Sequence, residues 1–203
     1  MSDSYIDPLK TESLEKLSEA LISRVLPKNF DIKNSHFQKT PERWLKAING
    51  YAITNADAFE EAYKILKGFG FVGPSNMILV RDIYTSCLCP HHLFPVSLKI
   101  DFAYIPALPK EGEFNSVGLS KIPRFIRTTA RRIVTQEELN NDIVLAFKKA
   151  MNPQGCICTI VGKHTCMIAR GVESRESDVI TSAIGGQAFE DSATRAEFFS
   201  LLK

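Results

Sequence analysis

The segment SLKIDFAYIP, residues 97–106, alternates polar and apolar side chains. That period of two suits a strand with one buried face, and no helix can satisfy it. SNMILVRDIYTSC, residues 75–87, is equally rich in β-formers. Upstream the pattern is helical. PLKTESLEKLSEALISRVLP, residues 8–27, sets Leu9, Leu14, Leu17, Leu21 and Ile22 at helical spacing, with Thr11 or Ser13 as N-cap. Thr40-Pro41-Glu42 reads as a cap and first turn of a second helix ending at Gly50, and residues 55–70 as a third, stopped by Gly68. SKIPRFIRTTARRIVTQEELNNDIVLAFKKAM, residues 120–151, reads as two helices, the first strongly basic. CICTIVGKHTCMIARG, residues 156–171, reads as strand, and Ser192 caps a terminal helix. The order ααα–ββ–αα–ββ–α is an α+β pattern. It divides the chain into an N-terminal helical region, residues 1–70, and an α+β domain, residues 71–203.

Composition matters here mainly for what it excludes. A chain of 203 residues with 44% apolar side chains can bury a core without disulfides. Its net charge of +2 gives no argument for nucleic acid or membrane, and no apolar run approaches the length of a bilayer span. The N-terminal MSDSYIDPLK lacks an apolar signal core. The expectation is a cytoplasmic protein with no membrane and no nucleic-acid partner.

Two clusters carry chemistry. TSCLCPHHLFP, residues 85–95, holds Cys87, Cys89, His91 and His92, and GKHTCMIARG, residues 162–171, holds His164 and Cys166. Cys89 and His92 are separated by a spacing that suits a turn converging on one ion. His164 and Cys166, two apart on a strand, would share a face. Thiolate and imidazole are zinc's preferred ligands, although spacing alone leaves open which of these six residues bind. A Cys–His nucleophile pair is the other reading. Cys156 and Cys158 are assigned to core packing: Cys158 lies roughly 26 Å from Cys166 along an extended strand. His36 reads as an exposed loop residue.

CPHHLFP, VGLSKIPR, TQEEL, HTCMIARGV and TSAIGG stand in the order and spacing of GTP cyclohydrolase I. TPERW upstream and TRAEFFSLL at the end are similar to segments of the same family, so the resemblance spans about residues 40–202. It implies a tunnelling fold, antiparallel strands with two helices packed on them, assembled as a homodecamer around a β-barrel with active sites at subunit junctions. It further implies zinc held by Cys89, His92 and Cys166, with His91 and His164 handling protons. Gln136 and Glu137 match the pair that reads guanine, Glu138 being the confusable neighbour. Ser120, Lys121, Arg124 and Arg170 match the triphosphate contacts; Arg127, Arg131 and Arg132 read as a solvated face. The implied reaction is hydrolytic opening of the guanine imidazole ring of GTP at C8, loss of formate and closure to 7,8-dihydroneopterin triphosphate. That step begins folate or tetrahydrobiopterin synthesis.

Two positions depart from the family pattern. Pro90 stands where a Glu is usual, removing a carboxylate and a backbone N–H, and Asp178 adds a negative charge within a segment usually rich in Ser and Thr. These departures keep two rivals open: a paralogue of the same fold with altered chemistry or substrate, and a non-catalytic oligomer that binds zinc and nucleotide.

Overall fold

The computed structural model describes residues 13–28, 30–31, 36–71, 76–110 and 113–203. Leu9 and Thr11 lie outside the described residues. The chain separates into two compact units, Met1–Ala52 and Ile53–Lys203.

The first unit holds α1 (Leu14–Val25) and α2 (Thr40–Asn49). Ser13 caps α1, its hydroxyl accepting from the Lys16 amide. Thr40 is already the first residue of α2, so the cap falls one residue earlier than expected, at Lys39, which makes no side-chain cap. His36 is exposed in the preceding turn, its carbonyl accepting from Arg43.

The second unit is α+β and antiparallel throughout its sheets. It begins with α3 (Asn55–Ile65), capped by Thr54. Then follow β1 (Gly68–Phe71), β2 (Ile78–Leu88), β3 (Pro95–Ile105), β4 (Ala107–Lys110) and β5 (Glu113–Val117). The helices α4 (Lys121–Ala130) and α5 (Gln136–Met151) precede β6 (Gly155–His164), the short α6 (Thr165–Ile168), β7 (Val179–Gly185) and α7 (Ser192–Leu201). A four-stranded sheet runs β2-β3-β6-β7, and a smaller one β1-β5-β4. Two long helices laid on an antiparallel sheet are the arrangement the tunnelling fold requires.

The alternation in β3 holds in its first half, whereas Asp101 and Ala103 on the other face are buried as well, Ala103 in a second cluster with Ile157, Phe189 and Phe198. Val96, Leu98, Ile100, Phe102 and Tyr104 are all buried, in one core with Phe125 and Ile126 of α4 and Leu139, Ile143 and Phe147 of α5. The edge-to-face packing of Phe102 on Phe147, with centroids 4.8 Å apart, ties sheet to helix. Cys87, Cys156 and Cys158 belong to this core. Desolvation pushes the Cys87 and Cys156 thiols up to about 12, and burial also holds Cys158 well above its ordinary value, so none offers a thiolate near neutrality.

Three local expectations are corrected. CICTIVGKHTCMIARG is strand only to His164; Thr165–Ile168 is helical, so His164 and Cys166 do not share a strand face. Asp191, not Ser192, caps α7, its carboxylate accepting from the Thr194 amide at 3.0 Å. Arg132 is no solvated residue: it is fully buried and paired with Asp142. Arg127 and Arg131 are exposed, as expected. No helix among the described residues is long and apolar enough to cross a membrane.

Candidate metal centre

The site is built where β2 and β6 end and β3 begins. β2 and β3 are antiparallel, with Cys87 opposite Val96 and Leu88 opposite Pro95, so Cys89 starts the connecting turn. Its amide donates to the Phe94 carbonyl at 3.0 Å, and its own carbonyl accepts from Leu93 at 2.8 Å. Val96 faces His164 across the β3–β6 pair, which brings the end of β6 to the foot of this turn. The Thr165 hydroxyl then donates to the Pro95 carbonyl at 2.6 Å, fixing the start of α6 against it. Cys166 sits one residue further on.

As a result, one ligand atom each of Cys89, His164 and Cys166 lies within 4.8 Å of the others, from positions up to 77 residues apart in sequence by the difference 166 − 89. Cys89 is buried and the other two half-buried. Two thiols and an imidazole this close are a donor set that zinc fits. His91 stands beside the group, its Nδ1 3.3 Å from Cys89 Sγ. His92 is not part of it: the ring is exposed and stacks on Phe94 at 6.0 Å between centroids.

Pro90 occupies the first exposed position of the turn. The turn's two backbone bonds use the amides of Cys89 and Leu93, so an N–H at 90 is not needed, and proline's fixed φ suits the bend. Pro90→Glu is therefore expected to fold and to lose about 0.4–1 kcal/mol through the freer unfolded chain. Thermal or denaturant unfolding measures this directly; a loss above roughly 2 kcal/mol would assign the proline a tertiary role.

The start of α5 approaches the same place because Leu88 is bonded to the preceding loop: its amide donates to Arg132 O and its carbonyl accepts from the Val134 amide, each at 3.0 Å. Thr135 and Glu138 form a reciprocal capping box there. That employs Glu138 and separates it from its confusable neighbour Glu137, which is exposed. Burial pushes the His164 imidazole below its ordinary pKa, and the nearby Glu137 carboxylate opposes this. Gln136 is 1% exposed, with its amide bonded inside the protein.

The anion-binding candidates sit at the start of α4 and just after α6. Ser120 precedes α4, and Lys121 and Arg124 occupy its first turn. Lys121 Nζ donates to the Lys67 carbonyl at 3.0 Å, while Arg124 is exposed. Arg170, just after α6, is also exposed. Asp178 is paired with Lys163 at 3.1 Å, so its charge is partly compensated within the chain.

A tunnelling-fold unit carrying a thiol–imidazole cluster at one end of its sheet defines the class. The chain belongs to the GTP cyclohydrolase I family, whose sequence profile matches residues 18–203. It is 38% identical over 174 residues to "GTP cyclohydrolase 1 2" of Pseudomonas syringae pv. tomato, covering 85% of this chain and 91% of that one. With "GTP cyclohydrolase 1" of Leptospira biflexa it shares 34% identity over 199 residues, covering 94% and 98%. Among solved structures, the apo archaeosine synthase QueF-Like aligns with a TM-score of 0.42 at 18% identity, over 57% of this chain and 97% of that one.

Proposed function

We propose that the protein converts GTP to 7,8-dihydroneopterin triphosphate and formate, with zinc held at the Cys89–Cys166 centre. The observation that carries this reading is the convergence of Cys89, His164 and Cys166 within 4.8 Å, in a chain of this family. Cys89, Cys166 and His92 would hold the ion; His92 comes from the family resemblance, and its place on the same short turn as Cys89 supports it. When bound, zinc supplies Lewis acidity that ionises water near neutral pH. His164 and His91 flank the centre and move protons to and from the opening imidazole ring and the ribose oxygen.

Glu137 reads the base. A carboxylate accepting from N1–H and the exocyclic amine prefers guanine, because adenine would leave it unpaired. Ser120, Lys121, Arg124 and Arg170 take the triphosphate, with a helix start and forked guanidinium groups suited to it. The face of the large sheet away from α4 and α5 is covered in part by Phe189 and Phe198 and leaves Tyr84 at 62%, Ile180 at 71% and Ile184 at 43% exposure. Such apolar exposure supports self-association, in line with a homodecamer whose sites combine residues of neighbouring subunits. Cytoplasmic action in folate or tetrahydrobiopterin synthesis completes the reading.

The direct test incubates zinc-loaded protein with GTP and follows formate and, after oxidation, neopterin fluorescence. Both products are expected; formate alone would mean ring opening without rearrangement, and neither would refute turnover of GTP. Glu137→Gln should lower kcat/KM for GTP on the order of 10- to 100-fold, the worth of a charged hydrogen bond, with zinc content unchanged. His92→Ala should lose zinc, whereas His164→Ala should keep it and lose turnover. The reverse pattern would make His164 the ligand.

A further inference from the structure

The hydrogen bonds of Gln136 determine more than its own rotamer. Its Nε2 lies 3.1 Å from the Ile160 carbonyl, 2.9 Å from the Val179 carbonyl and 3.2 Å from Thr181 Oγ1. Carbonyl oxygens only accept, so this end of the amide is the NH2 group and the other end is the oxygen. That oxygen, Oε1, is 2.9 Å from His164 Nε2. An amide oxygen also only accepts, so the proton of the neutral His164 ring sits on Nε2. Nδ1 then keeps the ring's free electron pair.

We propose that Gln136 is a positioning residue that sets the tautomer of His164, and not a group that reads the guanine base. Its amide is anchored to backbone on both β6 and β7, so turning it over would set its oxygen against the Ile160 and Val179 carbonyl oxygens. Gly162 belongs to the same device. A Cβ at that position would lie 2.0 Å from Gln136 Oε1 and 2.9 Å from its Cδ, so only glycine lets the amide lie against β6. The device delivers a histidine held in one tautomer, with the ring's remaining lone pair on Nδ1.

Nitrogen NMR of the metal-free, full-length protein labelled in its histidine rings tests this, with His164→Gln identifying the signal. The wild type should show protonated Nε2 and unprotonated Nδ1 for His164. Gln136→Met and Gly162→Ala should each convert this to a mixture of tautomers. Both should keep their zinc stoichiometry and lower kcat for formate release about 10- to 100-fold, as loss of a supporting hydrogen bond does, with KM for GTP unchanged. A wild-type ring protonated on Nδ1 would overturn the proposal. So would an unchanged tautomer in both variants, or a raised KM with kcat intact, which would make Gln136 a substrate contact. If Gln136→Met fails to fold, Gly162→Ala, which removes no polar group, carries the comparison, and the wild-type spectrum decides the tautomer alone. Only the kinetic arm rests on the GTP reading: a protein that released no formate would refute that reading while the spectra still decided this one.

Discussion

Cys166→Ala is expected to reduce bound zinc from about one ion per chain to a trace, and formate release from GTP by on the order of 10³-fold or more. The size follows from what the thiolate does. Metal-assisted hydrolysis draws several kcal/mol of its transition-state stabilisation from the ion, and each 1.36 kcal/mol is a factor of ten in rate. Cys166 is half-buried at the start of α6 and shares its cluster with Cys89 and His164. Cys89→Ala should therefore behave the same way. The control is Cys158→Ala. Its thiol is fully buried in the core, with its pKa driven up by desolvation, so zinc should be retained and only about 1 kcal/mol of packing lost. Elemental analysis of the purified variants reads the metal, and the formate assay reads the rate. Full zinc in Cys166→Ala would remove that residue from the centre.

Much of this site was legible in the sequence, for physical reasons that differ by residue. The turn at Cys89 is written locally: two strand-like segments flank it, and proline sits at its exposed corner. The core role of Cys156 and Cys158 was legible too, because both fall within an apolar run of a strand. The relation of His164 to Cys166 was not. HTCMIARG has no proline or glycine before Gly171, so nothing local marks the change from strand to helix at Thr165. The change depends on a tertiary bond, Thr165 to the Pro95 carbonyl. The burial of Gln136 was equally hidden, since it requires β7 to lie beside β6 and Gly162 to leave room. A family resemblance identifies Gln136 as part of the site without saying which way its amide faces.

Arg132 is where sequence reasoning failed most clearly, and it carries the largest stability effect expected here. It stands in a run of four arginines between 124 and 132, and by composition it looks like one more solvated cation. The side chain is instead fully buried. Its Nε donates to the Thr129 carbonyl at 2.8 Å, its guanidinium pairs with Asp142 on α5, and its Cζ lies 5.5 Å from the Phe59 ring centroid on α3. One residue thus joins three helices, and its own carbonyl accepts from Leu88 beside Cys89. Arg132→Ala should cost about 3–5 kcal/mol, because it leaves a carboxylate without its partner and a cavity under α3. For a chain of this size that lowers the melting temperature by roughly 6–20 °C. Arg132→Met with Asp142→Leu should recover at least half of the loss, since removing both charges together avoids the unpaired one. Salt near 0.5 M should alter the wild-type contribution little, because Arg132 is fully buried and Asp142 only 23% exposed, so the pair is screened less than a surface one. If Arg132→Ala unfolded within 1 kcal/mol of the wild type, the pair would be contributing no more than a surface ion pair does. The coupling to Leu88 makes a second readout available: partial unfolding around α3 and α4 should loosen the Cys89 turn, so zinc should leave Arg132→Ala faster than it leaves the double variant.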